Sequence, residues 1–143
     1  MNSSKHKEKI YTTHSEQETF ALARKLAKNF EGDEVVFLIG ELGAGKTIFA
    51  KGIAAGLGLK DIHQVCSPSF TLLNIYLAKV PIYHLDLYRL GGEAEIRDLG
   101  FEDYIGEGVV LIEWAEKITF PLAAIRVHIE VGDGCERRIK IVY

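Results

Sequence analysis

At 143 residues and 16.0 kDa, with 48% hydrophobic side chains, the chain is long enough for one continuous core and short for more than one domain. A net charge of −3 and a pI near 6.0 argue against the basic field of a dedicated nucleic-acid binder. Cys66 and Cys135 are far apart and lack metal-ligand spacing, which excludes a disulfide scaffold and points to a reducing compartment.

Residues 1–9 are polar and basic without an apolar segment, so they predict a disordered tail rather than a signal peptide or membrane anchor. No apolar run is long enough to span a bilayer, and the expected location is the cytoplasm. Residues 10–143 are expected to form a single domain. Residues 10–13 read as a short strand. Ser15 followed by Glu18 is a capping box, opening a helix whose face is set by Ala23, Leu26, Ala27 and Phe30 and which runs to about residue 30. Gly32-Asp33 breaks it.

Val35-Val36-Phe37-Leu38-Ile39 is apolar throughout, as a strand covered on both faces requires. It leads into Gly40-Glu41-Leu42-Gly43-Ala44-Gly45-Lys46-Thr47, which fits G-x-x-x-x-G-K-[ST] and opens a helix carrying Ile48, Phe49, Gly52 and Ile53. Glycine at 40, 43 and 45 lets the backbone turn tightly and aim N–H groups inward, at the positive end of the helix. A polyphosphate fits such a concavity. The Lys46 ammonium would reach its outer phosphates, and the Thr47 hydroxyl would ligate a bridging Mg²⁺.

Residues 60–68 form a polar connection ending in Ser67-Pro68. A strand is expected over 70–77, and a short link then returns the chain antiparallel over 82–87. An acidic helix over 93–99 ends at Gly100, and 109–112 is another buried strand. Near the C-terminus Ile125, Val127, Ile129 and Val131 alternate with polar residues, and Gly132-Asp133-Gly134 turns the chain into a second alternating run. The expected class is α/β: a P-loop NTPase-like mixed central sheet flanked by helices, with antiparallel hairpins.

A phosphate loop needs an acidic partner at the end of a neighbouring buried strand, to help hold Mg²⁺ and place the attacking water. Glu113 follows four apolar residues, and Asp86 ends a similar run that contains His84. His84 reads as a satisfied strand histidine. Ser67-Pro68-Ser69-Phe70 suits a switch-like loop with a hydroxyl near the terminal phosphate, or simply a Pro-led strand entry. Asp103-Tyr104-Ile105-Gly106 matches the D-x-x-G pattern of GTPases by chance, since no apolar strand precedes it and no N-K-x-D motif exists. Arg89 is either a surface cation or a charge stabiliser. Trp114 reads as core, beside the site through its neighbour Glu113.

GELGAGKT, SPSF, HLDLYRL, GFEDYI and LIEW, in this order, resemble the bacterial TsaE (YjeE) family over roughly residues 10–142. The resemblance implies a small ATPase required for threonylcarbamoyladenosine in tRNA. It implies that Glu41, Leu42, Gly43, Ala44, Gly45, Lys46 and Thr47 contact nucleotide, and that Thr47, Asp86 and Glu113 flank the metal. Ser69 would lie in a mobile loop and Trp114 beside the nucleotide, with further contacts around Ser15 and Arg137. Lys46, Asp86 and Glu113 would carry the catalysis. The implied partners are the TsaD and TsaB proteins, with tRNA reached through them and no membrane. Ser69 stands where the family favours threonine, Glu41 where aspartate is common, and Ile48 where a second threonine often follows; no charged participant is lost. A small-molecule kinase is the alternative, although no arginine-rich lid is present. A nucleotide-dependent binding module with incidental hydrolysis is another.

Overall fold

The computed structural model describes residues 7–143. Its elements are β1 (Glu8–Thr13), α1 (Glu16–Ala27), β2 (Val35–Ile39), α2 (Lys46–Gly56), β3 (Leu73–Leu77), β4 (Pro81–Asp86), α3 (Glu93–Asp98), β5 (Val109–Glu113), β6 (Ile125–Val131) and β7 (Arg137–Val142). All seven strands join one mixed sheet in the order β1-β7-β6-β2-β5-β4-β3. β2 lies parallel to both β5 and β6, and β4 parallel to β5. The β3–β4 and β6–β7 pairs are the antiparallel hairpins that the alternating patterns require, and β1 closes antiparallel on β7.

The alternation of side chains along a strand divides the core in two. On one face Val36, Leu38, Val109 and Leu111 pack with Ala23 and Ala27 of α1 and Phe49, Ala50 and Ile53 of α2. On the other, Val35, Phe37, Val110 and Ile112 meet Leu85, Leu87, Ile96 and Phe101. The two long helices cross very closely. A Cβ built on Gly52 would lie 2.5 Å from the Phe20 carbonyl oxygen and 2.6 Å from the Ala23 Cβ, so glycine is what allows the approach.

Three expectations are corrected. The sheet begins at Glu8: Glu8 and Lys9 pair with Val142 and Ile141, so the tail stops short of residue 9, and its first six positions lie outside the described residues. α1 ends at Ala27 rather than near 30, because the Glu34 carboxylate gathers the backbone N–H groups of Glu31, Gly32 and Asp33 into a turn. The strand expected from residue 70 starts at Leu73. Leu72 adopts φ 69°, its N–H bonds the Pro68 carbonyl at 2.8 Å, and Phe70 projects outward at 86% exposed. A closed turn wins there over β propensity, since the backbone satisfies itself locally.

Candidate functional site

The glycine-rich loop lies between the C-terminal end of β2 and the N-terminus of α2, whose cap residue Gly45 has φ 110° and supplies no side chain to the helix end. Gly43 is likewise left-handed at φ 81°. An uncapped helix start aimed into a cleft is an anion site. Lys46 lies over this loop, 5% exposed, with Nζ donating to the carbonyls of Gly40 at 2.5 Å and Glu41 at 3.0 Å. Its ammonium also sits 4.2 Å from the centre of the Trp114 ring. Burial pulls the Lys46 pKa below the ordinary lysine value, opposed by the charges of Glu113, Glu116, Asp86 and Glu41. A desolvated cation in this position gains from an arriving anion.

The two acidic residues read from strand ends are neighbours. β4 and β5 run parallel in the register Asp86↔Glu113, and Leu38 of β2 is the Cα partner of Glu113 on its other side. Both carboxylates are buried, 2% exposed, on the α2 face of the sheet. Glu113 Oε2 accepts from Thr47 Oγ1 at 3.3 Å and contacts His84 Nε2 at 2.7 Å. Its Oε1 accepts no hydrogen bond among the described residues. Asp86 is held at both oxygens, by Ser67 Oγ at 2.8 Å and by the Tyr88 N–H at 2.9 Å.

A cleft of about 690 Å³ joins these groups. Leu42, Gly43, Gly45, Lys46, Thr47, Ser69, Asp86, Glu113 and Trp114 line it, with Glu16, Ile48, Ser67, Phe70, Tyr88 and Arg89. A smaller depression beside it contains Ser15, Gly43, Ala44, Gly45, Cys135 and Arg137. Arg137 straps the loop: Nε donates to the Ala44 carbonyl at 3.0 Å and Nη2 to that of Gly43 at 3.4 Å. Ser15 caps α1, its Oγ accepting from the Glu18 N–H. The Glu41 side chain instead borders a separate depression with Ile39, Gly40 and residues 128–131.

Several positions are fixed only by the fold. Ser67, not Ser69, bonds Asp86; among the described residues the Ser69 hydroxyl reaches Ser67 alone, at 3.4 Å. Arg89, left undecided by its sequence context, lines the cleft with its guanidinium 5.1 Å from the Phe70 ring centre. Trp114 has φ 60°, a left-handed backbone that turns its ring back over Lys46. His84 is fully buried and satisfied at both nitrogens, but one partner is Glu113. Asp103 and Gly106 are not among the residues lining the cleft. The oxygen donors of Thr47, Asp86 and Glu113 form a hard set, and among the described residues no three or more His, Cys, Asp or Glu side chains converge as a metal cluster.

A mixed sheet with a glycine loop leading from a buried strand into an uncapped helix defines a P-loop NTPase-like protein. Comparison with known proteins narrows the class. The family model for "Threonylcarbamoyl adenosine biosynthesis protein TsaE" matches residues 13–139. The tRNA threonylcarbamoyladenosine biosynthesis protein TsaE of Aquifex aeolicus is 40% identical over 128 residues, covering 89% of this chain and 90% of that protein. The Bacillus subtilis TsaE is 43% identical over 134 residues, covering 90% and 82%. The crystal structure of Bacillus subtilis YdiB superposes with a TM-score of 0.77 at 33% identity, covering 98% of this chain and 88% of that one. The chain belongs to the TsaE family, whose role is in tRNA threonylcarbamoyladenosine biosynthesis.

Proposed function

We propose that the protein binds ATP with Mg²⁺ in the cleft and hydrolyses it, and that this hydrolysis resets or activates a TsaD–TsaB complex that transfers the threonylcarbamoyl group to tRNA. The observation that carries the reading is the convergence of Lys46, Thr47, Asp86 and Glu113 on one cleft at the C-terminal ends of adjacent parallel strands. Lys46 neutralises the outer phosphates, exchanging its two carbonyl contacts for phosphate oxygens. Mg²⁺ would be held by Thr47 with Asp86 and Glu113, and when bound it screens charge on the phosphates. Asp86, fixed at both oxygens, suits a positioning role toward the metal. Glu113, with Oε1 free, suits the orientation of the attacking water.

Partner engagement accords with the exposed rim of the cleft, where Leu42 is 78% and Phe70 86% exposed. The tRNA would be reached through the partners, in keeping with the chain's slight negative charge, and the reaction would take place in the cytoplasm. Among the described residues no helix is long and apolar enough to cross a membrane.

The test is ATP hydrolysis by the protein alone and with the partner proteins, alongside threonylcarbamoyladenosine formation on tRNA. Partner-stimulated release of inorganic phosphate supports the reading. Transfer of the phosphoryl group to a small hydroxyl compound would instead make the protein a kinase, and full tRNA modification by a Glu113→Gln variant whose hydrolysis is greatly reduced would make it a nucleotide-dependent binding module. ATP should outcompete GTP, because no N-K-x-D motif is present to read guanine. Equal affinities in direct competition would refute that preference.

A further inference from the structure

His84 lies on β4, fully buried, two residues before Asp86 and on the same face of the sheet. Its ring reaches across to β5, placing Nε2 2.7 Å from Glu113 Oε2, while Nδ1 lies 2.9 Å from the Tyr76 hydroxyl on β3. An ionised carboxylate only accepts hydrogen bonds, so the proton of a neutral ring belongs on Nε2 and Nδ1 accepts from Tyr76. Burial raises the Tyr76 pKa above the ordinary tyrosine value, which keeps the phenol protonated as a donor. The same hydroxyl is 3.3 Å from the Cys66 carbonyl, a longer contact competing for its single proton, and accepts from the Cys66 N–H at 3.4 Å. The next residue, Ser67, is the one that bonds Asp86. One short segment thus reaches both carboxylates: Asp86 through a serine hydroxyl, and Glu113 through Tyr76 and His84.

We propose that His84, braced by Tyr76, is a positioning residue for Glu113, and that this hydrogen-bonded chain ties the Glu113 carboxylate to the backbone of the segment that holds Asp86. The inference rests on the reading of Glu113 as the group that orients water. A carboxylate on a flexible two-carbon stem has several rotamers, and the one in the structure brings Oε2 to both Thr47 and His84 at the wall of the cleft. The His84 donor selects that rotamer. Tyr76 in turn fixes the ring tautomer and its tilt, as outer hydrogen-bonding partners do for active-site ligands. Motion of the segment at Cys66 and Ser67 would shift both acids together.

The experiment measures kcat, KM and nucleotide affinity for full-length variants in the presence of the partner proteins. His84→Leu should lower kcat by roughly 10–100-fold with ATP affinity changed less than about twofold, the range seen when an outer-shell partner of a site residue is lost. His84→Gln should recover most of the loss, because its amide nitrogen stands near the place of Nε2. Tyr76→Phe removes one oxygen from a side chain that otherwise keeps its shape, and should cost a smaller factor, on the order of 3–10. In a Glu113→Gln background, His84→Leu should cost almost nothing further, since its effect passes through the carboxylate. Full additivity there, or an unchanged kcat in both His84→Leu and Tyr76→Phe, overturns the proposal.

A second readout does not need turnover. In Tyr76→Phe, the side-chain carboxyl carbon resonance of Glu113 should move and amide exchange at Cys66 and Ser67 should quicken. If the wild type hydrolyses no ATP even with partners, the hydrolysis reading has failed and this measurement decides the positioning role alone. An unmoved Glu113 resonance would then sink it.

Discussion

Lys46 and Thr47 are adjacent in sequence yet stand in different surroundings. The Lys46 ammonium is desolvated and already spans two loop carbonyls, whereas the Thr47 hydroxyl faces Glu113. Lys46→Ala should weaken nucleotide binding by about tenfold or more, worth about 1.4 kcal/mol per decade. Thr47→Ala should chiefly blunt the dependence of binding on Mg²⁺. Calorimetric titration with ATP, with and without Mg²⁺, checks both, and unchanged affinity in the two variants would remove the site. Asp86→Ala and Glu113→Ala should each lower hydrolysis at least tenfold, on the order of the loss of one group that positions reactants, with binding less affected. Near-wild-type turnover in both would mean that other acids act. These four residues were legible from local context: a motif for two, and a carboxylate ending an apolar run for the others. Ser67 was not legible over Ser69, because which hydroxyl turns inward depends on the closed turn at residues 68–72, whose geometry no local propensity encodes.

At the level of elements, apolar runs, alternation and the glycine breaks located the strands and α-helices of the described residues, while their ends depended on contacts from elsewhere and the short 3-10 helices at Ile62–Gln64, Phe101–Tyr104 and Ala115–Lys117 went unread. The α1–α2 crossing shows the limit. Gly52 was legible as one face of a helix, but its purpose lies in the approach of the Phe20 carbonyl oxygen to 2.5 Å from where a Cβ would stand. Gly52→Ala should therefore destabilise the protein despite the better helix propensity of alanine, which returns only about 1 kcal/mol. Overpacking against backbone costs about 1–3 kcal/mol, and α2 cannot retreat without displacing the glycine-rich loop at its N-terminus. Denaturant midpoints test this, with Gly92→Ala as the comparison. Gly92 has extended backbone at φ −177°, and a Cβ there would meet nothing within 4 Å, so that variant should stay close to wild type. An equal or higher midpoint for Gly52→Ala would show that the helices have room to separate.

The whole molecule adds a pH response away from the cleft. His128 on β6 is the Cα partner of Lys140 and lies two residues from Arg126 on the same face of the sheet. Partial burial, then the charges of Lys140 and Arg126, hold its pKa below the ordinary histidine value, with Glu116 and Glu130 opposing. The unfolded chain consequently binds the proton more readily than the folded one as pH falls through about 6.5. The stability associated with neutral His128 is fully present above that value and lost as pH drops from it toward the lower folded-state pKa. His128→Gln should flatten this part of the stability profile. Thermal midpoints followed between about pH 7.5 and 5 read the difference, and parallel profiles for the two proteins would assign the acid loss to other groups.

The sequence by itself determined the α/β class and the glycine-rich loop with its lysine and threonine, because these rest on short-range geometry: a turn, a helix start and an apolar strand; the family was legible there as a resemblance carried by five motifs in chain order. Only the tertiary structure decided that Asp86 and Glu113 stand in register. That follows from β5 inserting between β2 and β4, a parallel arrangement set by crossovers and by packing on both faces rather than by any local signal. The same insertion brings His84 within 2.7 Å of a residue 29 positions further along the chain. Residue types showed which groups were available for chemistry, and the sheet order selected which of them meet.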